Sequence, residues 1–248
     1  MFSSRVVAEI GLNHLGSLEE AKRLLEILKT NGLSKATIQI RESSFYQSHK
    51  EYFLSKDSIL QIIDEARNKN IEFGLALGPL ESFEEYDEII NKADFIKLLS
   101  ISVENKDFLE RYLSLYLKKT YYSLGTSNID YVKEVILPNI KKNDFLLHTS
   151  LTHEASGQNL ADIYDLSSQH KNIAFGHHCR EPSIISVAIG AGAKEVFIYI
   201  GNKSLKLPDY DHAFDSSELP EIMNQFDLSF RSLKTLDSSE IEQITFIG

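Results

Sequence analysis

Short apolar runs alternate with amphipathic stretches along the whole chain, and few folds accept that rhythm. The runs cover residues 6–10, 36–40, 72–77, 94–98, 120–123, 145–149, 173–176 and 196–200. Strand-then-helix alternation specifies parallel strands joined by helical crossovers. Eight such strands in 248 residues predict a single (β/α)8 TIM barrel, which typically takes about 250 residues, rather than an open sheet. Residues 1–230 are assigned to this barrel. Residues 231–248 read as a short polar tail with a helical turn near 239–244, and no linker or internal boundary is visible.

The stretches between the runs carry helix signals. Ser17 and Glu20 have capping-box spacing, in which each side chain would satisfy a free amide of the other. Ala21, Leu24, Leu25 and Leu28 then repeat at helical spacing, and Gly32 supplies a stop. Further starts are expected at Ser55, at Ser82, at Asn105 or Lys106, after Asn159, at Pro182, and at Ser216 or Ser217.

A net charge of −10 argues against nucleic acid or an anionic membrane as a partner. It leaves room for an anionic small molecule, because local cations can outvote the total. No apolar run approaches the roughly 18 residues of a membrane span, and residues 1–4 lead into the first strand without a signal-peptide core. Cys179 is the one cysteine, so no internal disulfide can form. These features predict a cytoplasmic protein.

Barrel chemistry sits where strands end and loops begin. The first strand ends Ala8-Glu9-Ile10-Gly11-Leu12-Asn13-His14-Leu15-Gly16-Ser17. A carboxylate on a barrel strand is costly unless a cation or ligand answers it, so Glu9 marks either a site or a structural ion pair. The fourth strand places Lys97 in an apolar run and Ser100 just beyond it. Such a lysine calls for an anion or for Glu9. His148 ends the sixth strand, and His177, His178 and Cys179 end the seventh. Imidazoles at neighbouring strand ends can ligate a divalent metal, or they can bond to one another and to the backbone. Adjacent strand residues point to opposite faces, so Cys179 is expected to turn away from His178 as a buried structural thiol.

The first of these segments resembles the opening of the sialic acid synthase family, whose pattern is Glu-Ile-Gly-x-Asn-His-x-Gly-Ser followed by a helix. Glu9 to Ser17 matches every specified position. The register continues through Gln39, Lys97, Ser100, Asn105, Ser123, His148, His178, the Gly192-Ala193-Lys194 turn and Asp211-His212, to about Leu219. The resemblance implies condensation of phosphoenolpyruvate with an N-acylated amino sugar, such as N-acetylmannosamine, and Mn²⁺ or Mg²⁺ as cofactor. It implies catalytic roles for Glu9, Lys97 and His148, and substrate binding by Asn13, His14, Gln39, Ser100, Ser123, Asp211 and His212; Arg41, on the same strand face as Gln39, is added as a substrate-binding candidate by alternation. His178, with His177 beside it, would hold the metal.

This sequence departs from the family pattern in several places. The lysine expected on the second strand is Thr37, and Arg41 either supplies that charge from further along or pairs with Glu42 or Glu9 at the rim. A sugar-binding glutamate is Ser102. The loop after the sixth strand is rewritten as His153-Glu154-Ala155-Ser156-Gly157. On the eighth strand the family's glutamate and metal-binding histidine become Phe197 and Tyr199. An antifreeze-like domain, which follows the barrel in typical members and lends an arginine to a partner subunit, is not expected in 231–248, and a homo-oligomer is left open. Three functions therefore stand: the condensing enzyme, a non-catalytic barrel that binds a phosphorylated or carboxylated metabolite, and an enzyme of altered lyase or isomerase chemistry using His148, His177 and Lys97. Phe197 and Tyr199 together plugging the barrel mouth would rule out the enzyme.

Overall fold

In the computed structural model, which describes residues 2–125, 127 and 129–233, the chain is a closed barrel of parallel strands ringed by helices. In chain order these are β1 (Val6–Gly11), α1 (Leu18–Thr30), β2 (Lys35–Ile40), α2 (Ser43–Ser48), α3 (Lys56–Asn68), β3 (Glu72–Leu77), α4 (Asp87–Lys92) and β4 (Phe95–Leu98). There follow α5 (Ser100–Val103), α6 (Lys106–Leu115), β5 (Lys119–Ser123), α7 (Ile129–Tyr131), β6 (Phe145–Thr149), α8 (Ala161–Ser167), β7 (Ile173–His177) and α9 (Ser183–Gly190). The described chain closes with β8 (Glu195–Gly201), β9 (Phe214–Asp215) and α10 (Leu219–Ser232). Strands β1 to β8 pair in sequence order, and β1 also pairs with β8. The (β/α)8 expectation holds. No described helix is long and apolar enough to cross a membrane.

Two apolar layers follow from strand alternation. Alternate strand residues such as Ala8, Ile38, Leu75, Ile96, Leu146 and Ile198 face the helices in one large cluster. The others face inward, where Val7, Phe95, Tyr121, Phe145, Leu147, Ala174 and Phe197 fill the barrel axis. Phe95 fits because β3 offers Gly74 beside it, where an added Cβ would stand 2.3 Å from the ring. Below this layer Glu195 receives Lys35 at 3.0 Å and the Tyr121 hydroxyl at 2.6 Å. Above it lie Glu9, Lys97 and Tyr199.

The helix starts are met unevenly. Ser17 Oγ accepts from the Glu20 amide, but the Glu20 carboxylate turns to Arg23 instead of reaching back, so half of the capping box forms. Ser55 and Asn105 cap their helices as expected. Ser82 starts only a turn, because the helix begins at Asp87. The last helix begins at Leu219 rather than near Ser216, since Asp215 accepts from the Ser217 amide in a local turn. That helix runs to Ser232, so the barrel extends past 230; the expected turn near 239–244 lies outside the described residues.

Candidate active site

The mouth is built from the inward side chains that end the strands. Lys97 Nζ forms an ion pair with Glu9 Oε1 across the barrel, with both side chains sealed from solvent at 2% and 1% exposure. Glu9 is in register with Thr37 on one side and Tyr199 on the other. Lys97 also lies over the rings of Phe197 and Tyr199, at 5.3 and 5.7 Å from their centroids. Phe197 is therefore floor rather than plug, since it belongs to the layer that fills every such barrel. Tyr199 stands in the mouth itself. Burial first, then the Glu9 charge, raises its pKa far above the ordinary phenol value, so it remains a neutral phenol.

The β8 side of the mouth is a group of rings. His178 stacks on His212 at 4.9 Å, and His212 meets Tyr199 and His153 edge-on at 4.7 and 4.9 Å. Burial pushes His212 down to about 3 and His178 well below its usual value, so both are neutral. Neither nitrogen of His212 has a hydrogen-bond partner. The loop after β8 also brings Asp209 over the mouth, where burial and then the Glu9 charge push its carboxyl up to about 7.

Several expected site residues do other work. His148 follows inward-facing Leu147, so alternation turns it outward, where Nε2 meets the Gln158 carbonyl at 2.8 Å and the ring stacks near Phe175. It edges a cavity of about 620 Å³ between the ends of β5 and β6 and helix α8, which Thr149 also lines. His177 is outward for the same reason: its ring lies flat on Phe214 at 5.4 Å. The alternation that turns Cys179 from His178 turns His177 from it as well. Arg41 takes the rim alternative, with a bidentate pair to Glu42 at 3.0 and 2.8 Å and its guanidinium 4.3 Å over Phe45.

Asn13 and His14 are fully buried fasteners. Asn13 Nδ2 donates to the Ile200 carbonyl at 2.9 Å, its Oδ1 accepts from the Asp209 amide at 3.4 Å, and His14 Nδ1 accepts from the Gly16 amide at 3.0 Å. Burial pushes His14 down to about 4. Ser123 is buried and bonded to Thr149 at 3.4 Å, and Ser100 sits against Gly125. Gln39 is half-buried on the inward side of β2. Asp211 is at the exposed rim, paired with Arg180 at 3.3 Å.

These positions bear on a metal. The family's first ligand position, His178, presents its ring face to His212, and the second is a protonated phenol. A neutral phenol is a poor ligand for Mn²⁺ or Mg²⁺, which favour carboxylate, carbonyl and water oxygens. Among the described residues no group of three His, Cys, Asp or Glu side chains is set to hold a metal ion. The donor set does not fit the family cation.

A family model described as the NeuB family matches residues 21–237. The chain belongs to the NeuB family. Among curated relatives, N,N'-diacetyllegionaminic acid synthase of Campylobacter jejuni is 26% identical, over 91% of this chain and 76% of that one. Human N-acetylneuraminate-9-phosphate synthase is 26% identical, over 92% and 70%. A crystal structure of N-acetylneuraminic acid synthetase from Leptospira borgpetersenii, in complex with citrate, superposes with a TM-score of 0.84 at 20% identity, covering 98% of this chain and 90% of that one. That likeness speaks for the fold, and the family match, which begins after the Glu9–Ser17 motif, supports the resemblance along the rest of the barrel. Sequence reasoning missed Asp209, His153 and Thr149. Asp209 had one available signal, a carboxylate where the family pattern has glycine.

Proposed function

We propose that this NeuB-family barrel is a condensing enzyme that joins phosphoenolpyruvate to the carbonyl carbon of an N-acylated amino sugar. The Glu9–Lys97 pair carries this reading. A buried ion pair at the upper end of the barrel gains little net stability over an apolar core, yet here it is aimed at the mouth, where chemistry sits in this fold. An incoming carboxylate or phosphate would compete with Glu9 for Lys97. Ser100 at the start of α5, and Ser123 and Thr149 at the ends of β5 and β6, would receive the remaining anionic oxygens. The family's divalent cation has no part in this reading, because its second ligand position holds a neutral phenol and no group of three donors stands together among the described residues.

A second reading, a non-catalytic barrel, draws on Tyr199 and on the neutralised Lys97, which leave little free positive charge. Calorimetric titration of the metal-stripped protein with phosphoenolpyruvate, with and without Mn²⁺, separates the readings when followed by phosphate release with N-acetylmannosamine and related N-acyl amino sugars. Saturable binding and sugar-dependent phosphate release are expected. Binding without release across those sugars favours the non-catalytic barrel, and no binding in either condition refutes both uses of the anion site.

A further inference from the structure

With no fitting cation, some other group must answer the charge that develops on the sugar's carbonyl oxygen. We infer that Asp209 is a further catalytic residue of this mouth, a carboxylic acid that gives its proton to that oxygen as the carbon–carbon bond forms. The inference rests on the condensing reading above.

Access decides between the two mouth carboxyls. Glu9 is sealed at 1% exposure, whereas the Asp209 side chain keeps 23% of its surface open. A substrate entering the mouth therefore meets Asp209 first. Its placement is fixed rather than incidental: the Asp209 amide donates to buried Asn13, which is itself tied to the Ile200 carbonyl. Gly11, at φ +55°, makes the approach feasible, because a Cβ there would stand 3.3 Å from Asp209 Oδ2 and 3.0 Å from the Tyr199 ring. A side chain at residue 11 would push both groups off β1.

The groups around Asp209 suit an acid. Glu9 of β1 faces it and opposes its ionisation, while Lys97 of β4 favours it and is already paired with Glu9. Tyr199 of β8 is a neutral phenol, and Tyr52, which ends the turn Lys50–Tyr52, feels the Asp209 charge from the side of β2. His212 lies 3.9 Å away, but its burial keeps it neutral, so it supplies no counter-charge. A carboxyl poised near neutrality is well matched to proton donation at physiological pH.

The step balances without a metal. The methylene carbon of phosphoenolpyruvate attacks the aldehyde carbon, the carbonyl π pair moves to oxygen, and the Asp209 proton completes a hydroxyl. Water then adds to the phosphate-bearing carbon and returns one proton to Asp209. Phosphate departs with the C–O bonding pair and takes the second proton, leaving a 2-keto acid.

Asp209→Asn keeps the shape and can hydrogen-bond, but it has no proton to give, and Asp209→Glu restores the acid. In excess chelator the wild type should release phosphate, with kcat falling as pH rises through about 7. Asp209→Asn should lower kcat by about 10²–10⁴-fold, abolish that falling limb and leave phosphoenolpyruvate binding unchanged, while Asp209→Glu recovers part of the rate. Carbon-13 NMR of the labelled carboxyl should show Asp209 protonated below neutrality. An unchanged kcat and pH profile in Asp209→Asn overturns the inference alone. So does a carboxyl ionised throughout, or turnover that needs Mn²⁺ equally in wild type and variant. Failure of the wild type to bind phosphoenolpyruvate overturns the condensing reading and this inference with it.

Discussion

At the residue scale, Glu9 and Lys97 stabilise one another only as a pair. Removing either leaves the other buried and uncompensated, which costs about 3–5 kcal/mol. Lys97→Met and Glu9→Gln should each lower stability by roughly that amount in urea denaturation, and the double variant should recover most of it, since contacting groups are non-additive. Additive losses would show that the pair is not coupled as its geometry implies. The sequence made this pair legible because two charges in apolar strands demand partners. It hid the function of Asp209, whose environment is assembled by β1, β4 and β8 together. His148 and His177 were misplaced for a different reason. Each follows an inward-facing residue on its strand, Leu147 or Gly176, so alternation turns both rings outward whatever the family position suggests.

At the element scale, each strand ends where a local signal releases the chain into a helix. Ser17 caps α1 through the Glu20 amide with no reciprocal bond. Ser17→Ala should therefore cost about 1 kcal/mol, the single-cap value, while Glu20→Ala costs what its exposed pair with Arg23 is worth, a few tenths. Thermal unfolding of the two variants checks this, and an equal loss would mean that the full box forms in solution. Strand packing is less forgiving. Gly74→Ala would bring a methyl 2.3 Å from the Phe95 ring inside a filled barrel, and overpacking of this kind costs about 1–3 kcal/mol. The start of α4 escaped the sequence reading because Ser82 caps a turn that Tyr86 interrupts before Asp87 can propagate the helix.

At the scale of the whole molecule, buried ionisable groups tie stability to pH. His14, His177 and His212 have folded pKa values of about 4, 4 and 3 against 6.5 for the free side chain, each lowered first by burial. Below the unfolded value the folded state binds fewer protons than the unfolded one, so stability is lost as pH falls from about 6.5 toward those values. Asp209 acts in the opposite sense. Its folded value of about 7 lies above the 3.8 of a free aspartate, so its contribution is present at low pH and is lost as pH rises through about 7. Three such histidines outweigh one aspartate, and the melting temperature should be lower near pH 5 than near pH 7.5. Asp209→Asn should raise the melting temperature more at the higher pH, and no difference between the two conditions would argue against this burial pattern. The sequence by itself determined the barrel, its eight-strand order, the inward Glu9 and Lys97, and the family, because alternation and short motifs are local and survive divergence. Tertiary structure alone decided that His178 stacks on His212, that Arg41 stays with Glu42, and that Asp209 leans over the mouth. Those outcomes depend on which side chains from distant strands share one small volume, where burial and neighbouring charge set the chemistry.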